Sequence, residues 1–291
     1  MAVNSWSHSK LMDFEKCKKY FWLKHDQRIP EPERPLPPGK TEHANDRGTR
    51  VHQSCEDFVT GKTHELCPEA EQHFGFHLDL LRTMYKDGLV SLEGEWGHNR
   101  DWEPWAWSGD WLEIEEPAEL GLPSKKVKTL PARAAPETIY LVGKKAFIWE
   151  PPWLRLKLDA MVMHDETTAT VIDYKTGRKF GNEVKHGEQL QLYQLATFMR
   201  YPKLQTVYAE LWYLDQNEIT SQRFSRTMGL RYRDKFTKRG DALTACEDFP
   251  ANPNVMTCRW CQYGPWNGGQ CTAGVQAGFN GTPGRKGRPD K

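Results

Sequence analysis

LRLKLDAMVMHDETTATVIDYKTGR, residues 154–178, is the stretch on which the fold turns. Residues 153–163 and 169–176 predict two strands joined by the polar turn HDETT. Side chains alternate across a strand with period two. Val171, Asp173 and Lys175 therefore share one face, and Ile172 and Tyr174 the other. The neighbouring strand carries Asp159 in a largely apolar run. A carboxylate on a central strand is costly unless it is paired or bound to a cation. Two that converge repel each other unless a divalent ion lies between them.

Working outward, residues 5–25 predict a helix, with Ser7 or Ser9 as its cap and Leu11, Phe14, Cys17 and Phe21 at helical spacing. PEPERPLPPG, residues 30–39, holds five prolines and predicts a loop. Residues 45–60 and 68–87 predict two more helices, burying Val51, Cys55 and Phe58 in one and Phe74, Leu78, Leu81 and Tyr85 in the other. From about residue 90 the period changes. SLEGEWGH predicts a strand, 100–138 a hairpin or lid-like insertion, and 139–149 a β segment. A helix at 187–200, a strand at 206–214 and a helix at about 226–246 follow. This order suits the α/β class, a mixed central sheet flanked by helices. The expected divisions are a helical region 1–90, a core 91–250 carrying the 100–138 insertion, a Cys-rich segment 251–271 and a disordered tail 272–291.

An Asp-x-Lys on one strand face beside a second Asp has a chemical use. Two carboxylates hold a hard cation such as Mg2+ or Mn2+. The cation polarises a phosphate oxygen, and a nearby Lys175 can orient water or stabilise charge building on the phosphate. The same pattern also fits a buried Asp–Lys ion pair between strands.

These residues resemble a family. LKLDA with VIDYKTGR resembles two motifs of the RecB-like branch of the PD-(D/E)xK nucleases, and the order of further motifs agrees. RGTRVHQSCEDF, with Gly48, His52 and Glu56, resembles the branch's early helix motif. GEQLQLY, with Gln189 and Tyr193 four apart on one helical face, resembles its Q-x3-Y motif. Glu93 or Glu95 in SLEGEW sits where the first core strand often carries an acid. The resemblance implies a restriction-endonuclease-like core with Asp159, Asp173, Lys175, Gln189 and Tyr193 at the catalytic centre. His52, Asp159 and Asp173 are then the implied metal ligands.

Seven cysteines, an odd number, argue against a disulfide framework. Cys258 and Cys261 form a C-x2-C pair, and Cys271 follows after nine residues. A zinc ribbon needs two such pairs, so a fourth ligand must come from elsewhere. SWSHSKLMDFEKCKKYFW resembles the opening of the branch's iron–sulfur members, the AddB and CRISPR-adaptation nucleases. That resemblance implies a 4Fe–4S cluster on Cys17, Cys258, Cys261 and Cys271, tying together chain segments about 240 residues apart. Zn2+ at the same thiolates is the alternative, and plain buried thiols a further one. The nine-residue gap is long for the family and keeps Cys246 open as a substitute. Cys55 and Cys67 are expected in packing.

The net charge of +1 does not point to a polyanion partner, so any DNA-binding groove must come from local clustering. Lys157, Arg178, Lys179 and Lys185 near the motif are candidates for phosphate contacts, or simply a solvated surface. No run of about 18 apolar residues predicts a membrane span, and the first residues lack an export h-region, so the expected compartment is the cytoplasm. The iron–sulfur members mostly act on strand ends, which implies an exonuclease on single-stranded or frayed DNA. An endonuclease, a DNA-binding protein without hydrolysis and a structural metal protein remain as other classes.

Overall fold

The strand pair at 154–178 forms as β5 (Leu154–Met163) and β6 (Thr168–Lys175), antiparallel, in a computed structural model. It describes residues 3–33, 35–36, 39–105, 138–142, 145–149, 151–177 and 179–275. The chain divides into two compact units, Thr41–Thr237 and a second made of Met1–Lys40 with Lys238–Lys291.

In the unit Thr41–Thr237 a mixed sheet is built outward from this pair. β1 (Val90–His98) lies antiparallel beside β5, and the short β2 (Pro104–Trp105) extends the edge beyond β1. On the other side β7 (Thr206–Tyr213) runs parallel to β6, and β8 (Glu218–Ser225) closes that edge. The strand order is β2-β1-β5-β6-β7-β8. Parallel neighbours need a crossover, and α5 (Glu183–Arg200) supplies it between β6 and β7.

Each face of the sheet is covered because its side chains alternate. Ala160, Val162, Ile172, Tyr174 and Trp212 point into a core filled by Val51, Cys55 and Phe58 of α3 (Ala44–Thr60) and Phe74, Leu78 and Leu81 of α4 (Pro68–Lys86). Phe74 stacks on Trp212 with ring centroids 5.4 Å apart. Truncating a fully buried leucine such as Leu78 to Ala costs about 2–5 kcal/mol. On α5, Leu192, Leu195, Ala196 and Phe198 are completely buried.

Several elements differ from expectation. The helix expected at 5–25 is broken. α1 (His8–Lys16) is capped by Ser7, whose hydroxyl accepts from the Lys10 amide. Cys17 then takes an extended backbone (φ −166, ψ 114), followed by α2 (Lys18–Phe21) and a π-turn at Trp22–Asp26. The β segment at 139–149 is a hairpin of β3 (Thr138–Val142) and β4 (Lys145–Trp149), forming its own two-stranded sheet. β8 carries no strand signature in the sequence, since along EITSQRFS only Phe224 is buried. The helix expected at 226–246 is two, α6 (Arg226–Leu230) and α7 (Arg233–Thr244). Most of the 100–138 insertion and of the tail lies outside the described residues.

In the other unit, chain segments distant in sequence meet around Tyr20, Leu23 and Tyr263, with Cys17, Trp22, Ile29, Cys261 and Cys271 packed against them. The Tyr20 and Tyr263 rings lie 5.6 Å apart, and the Tyr263 hydroxyl donates to the Ile29 carbonyl at 2.6 Å. Cys258 ends the short α8 (Val255–Cys258), which is capped by Asn254.

Candidate active site

The site opens where β5 and β6 part. Their last paired residues are Ala160 and Ile172, so Asp159 and Asp173 are the next across the gap. The Asp159 carboxylate fills it. Its Oδ2 accepts the Tyr174 backbone N–H at 2.6 Å, where a ladder carbonyl would otherwise serve. Its Oδ1 hydrogen-bonds His52 Nδ1 at 3.1 Å. His52 reaches this point because α3 runs close to the end of β6. A Cβ at Gly48 would lie 3.2 Å from Thr176 Oγ1, so a residue without a side chain permits the approach one helical turn before His52.

Asp173 and Lys175 sit on the α5 side of β6. Asp173 Oδ1 accepts from Gln189 Nε2 at 2.9 Å and from the Tyr193 hydroxyl at 3.2 Å. Gln189 Oε1 accepts from Lys175 Nζ, also at 2.9 Å, and Gln189 Nε2 lies 2.7 Å from the Tyr193 hydroxyl. Lys175 Nζ is 2.5 Å from Asp173 Oδ2 as an ion pair, although that oxygen receives no hydrogen bond of good geometry. The structure thus joins Asp173, Lys175, Gln189 and Tyr193 in one hydrogen-bonded network and pairs His52 with Asp159, the next residue across from Asp173 where the strands part.

Both aspartates are buried. Burial holds the Asp173 carboxyl above its ordinary range; the Lys175 ammonium opposes this and the Asp159 charge adds to it. Burial alone would lower the His52 imidazole, but its hydrogen bond to Asp159 and the charges of both aspartates leave it raised. Burial, with the neighbouring carboxylates, pushes the Tyr193 phenol well up, so it remains a donor.

Glu93 was one of two candidates on β1, and it is the one that lines the same cleft, with Lys157, Thr49 and Thr176. Its backbone is left-handed (φ 49), which is rare for a residue other than glycine and costs on the order of 1 kcal/mol. Its carboxylate pairs with Lys157. Burial raises the Glu93 pKa, Lys157 opposes, and Asp159 adds to the rise. Of the basic residues singled out in the sequence, Lys157 is therefore engaged by Glu93 and Lys179 by Glu218. Lys185 is exposed, and Arg178 lies outside the described residues. No motif pointed to His186, whose Nδ1 hydrogen-bonds the Tyr213 hydroxyl at 2.6 Å. Burial and the charges of Lys175 and Lys185 lower its pKa to about 4.

In the other unit Cys17, Cys258, Cys261 and Cys271 line one pocket, together with Tyr20, Leu23 and Trp266. Cys246 is not among the lining residues, and its Sγ donates to the Asp248 carbonyl at 3.0 Å. All seven cysteines are free of disulfides.

Among the described residues, no group of three or more His, Cys, Asp or Glu side chains is drawn together tightly enough to hold a metal ion. The donor chemistry nonetheless fits a hard divalent cation. Two buried carboxylates occupy the next positions across the parting strands, an imidazole is bonded to one and an ammonium to the other, and Asp173 Oδ2 receives no hydrogen bond of good geometry. Cys17, Cys258, Cys261 and Cys271 bring the thiol donors of a zinc or iron–sulfur site to one pocket without closing to ligand distance.

A family model described as the PD-(D/E)XK nuclease superfamily matches residues 5–266. A search of curated proteins gave no match. Among solved structures, one described as "Crystal structure of SSO0001" aligns over 90% of this chain and 85% of that one, with 11% identity and a TM-score of 0.37. Among the described residues, no helix is long and apolar enough to cross a membrane.

Proposed function

The chain belongs to the PD-(D/E)XK nuclease superfamily, and from that premise we propose a metal-dependent deoxyribonuclease of the RecB-like branch, acting as an exonuclease on single-stranded or frayed DNA ends. The observation that supports this best is the convergence of Asp159, Asp173 and Lys175 at the parting of β5 and β6, with His52 closing over them. Asp159 and Asp173 would hold Mg2+ or Mn2+. His52, hydrogen-bonded to Asp159 through Nδ1, would join them as a further ligand. The cation supplies Lewis acidity toward the scissile phosphate.

The chain's own residues supply the rest. Lys175 offers a fixed ammonium to the attacking water and to the charge that builds on the phosphate oxygens. Gln189 sets that ammonium, because one amide holds both Lys175 and Asp173. The one Tyr193 hydroxyl proton is shared between Asp173 Oδ1 and the Lys157 carbonyl, which tethers the carboxylate to the neighbouring strand. Cys17, Cys258, Cys261 and Cys271, which line one pocket, would hold a 4Fe–4S cluster, with Zn2+ as the alternative. Seven unpaired thiols suit a reducing compartment such as the cytoplasm.

The test of exonuclease action is a digestion panel of linear and covalently closed single-stranded DNA, with either end labelled, in Mg2+ and in Mn2+. The reading expects loss of the linear strand from an end while the circle stays whole. A cut circle would replace the exonuclease by an endonuclease of the same fold.

A further inference from the structure

Two large apolar side chains stand in solvent on the chain segment that follows Lys175. Phe180 is 89% exposed and Val184 83%. Single exposed apolar residues are ordinary. These two lie four apart, at the loop that follows Lys175 and the first turn of α5, the elements that carry the reactive network. The loop is built to project them. Gly177 (φ 142) and Gly181 (φ 86) bracket Phe180 in the left-handed region, and a Cβ on either would meet nothing within 4 Å. The loop is also anchored. Lys179 pairs with Glu218, Gln216 donates to the Gly177 carbonyl, and His186 holds Tyr213.

Charge adjoins the apolar step. Lys185, Gln189 and Tyr193 follow one another at four-residue spacing on α5, so they form one stripe from exposed surface to buried site. Each step is about 6 Å, close to the spacing of successive phosphates in an extended strand. An exposed aromatic ring and an exposed cation five residues apart, at the outer end of a line leading to the reactive residues, match how single strands are gripped: bases stack and phosphates pair.

We propose that Phe180, supported by Val184, is a stacking platform for an unpaired base of the DNA strand, with Lys185 taking the adjoining phosphate. Phe180 is thus a positioning residue that selects unpaired strands. This rests on the nuclease reading above.

The test compares an intact single strand carrying 2-aminopurine with an all-abasic strand of equal length. Binding is measured in EDTA for wild type, Phe180→Ala and Phe180→Trp. Loss of one stacked base corresponds to about 10-fold to 100-fold in affinity. Phe180→Ala is expected to weaken the intact strand by that factor and lose the stacking quench of 2-aminopurine. It should bind the abasic strand as wild type does, and Phe180→Trp should restore both signals. Equal loss on both strands, or none on either, would overturn the platform. If the wild type fails to cleave the intact strand with Mn2+, the nuclease reading falls, while the binding comparison still reports on stacking.

Discussion

Replacing Asp159 with Asn separates a catalytic carboxylate from a structural one. The side chain keeps its shape, and its amide oxygen can still accept the Tyr174 N–H that Oδ2 now takes at 2.6 Å. Two terms then oppose each other. The Asp159 charge acts on Asp173 across the parting strands, with a separation on the order of 5 Å setting the scale. Their repulsion at an effective dielectric of about 20 is roughly 3 kcal/mol, and Asn removes it. Against this, the amide NH2 now faces His52, so the 3.1 Å hydrogen bond to a charged oxygen is lost, at a cost of about 1.5–3 kcal/mol. The net change in stability is therefore within about 1–2 kcal/mol of zero, or a few degrees in Tm for a unit of this size. Cleavage should fall by about 100-fold or more, the scale of removing one preorganised electrostatic group. If Asp159 were only the partner of a buried ion pair, breaking it would cost about 3–5 kcal/mol and leave the chemistry alone. Thermal unfolding and Mn2+-dependent cleavage of an end-labelled strand, run on the same preparation, decide between them. A variant that cleaves within threefold of wild type would refute the reasoning.

Lys175→Met keeps the aliphatic stem while removing the ammonium from Asp173 and Gln189; it should abolish cleavage and leave single-strand affinity, read by filter binding, nearly unchanged. Cys258→Ser should lose bound iron, with its absorbance near ~400 nm, and lower the Tm before it alters the metal-dependent rate, and colourless zinc-loaded wild type from anaerobic preparation would remove the cluster. His98 is fully buried, and burial, ahead of the Arg200 charge, lowers its pKa to about 4. The unfolded chain takes up this proton near pH 6.5 and the folded chain does not. Its stabilising contribution is thus complete above about pH 6.5 and lost as pH falls toward 4, by about 3 kcal/mol, so His98→Phe should flatten unfolding free energy against pH over that window.

How much the sequence disclosed depends on how local each feature is. β5 and β6 were legible because alternation put Ile172 and Tyr174 under α3 and α4 and left Asp173 and Lys175 on the α5 side. Gln189 and Tyr193 were legible because four-residue spacing sets them on one helical face. The break at Cys17 was not, since helical apolar spacing runs through it while its backbone is extended. β8 was hidden because an edge strand with a solvated face carries polar residues on both sides. Glu93 and Glu95 share one face by period, and the left-handed backbone at Glu93 is written in the sheet rather than in the residue order. The His186–Tyr213 contact depends on the β6–α5–β7 crossover, which no local pattern encodes.

The central claim is that Asp159 and Asp173 hold a divalent cation that cleavage requires. The most direct measurement strips the protein with EDTA and titrates Mn2+ into wild type and Asp173→Asn while following an end-labelled single strand. The account predicts no cleavage without the cation, saturable cleavage by wild type, and none above background from the variant. Cleavage that survives without a divalent ion, or that persists in Asp173→Asn, would contradict it.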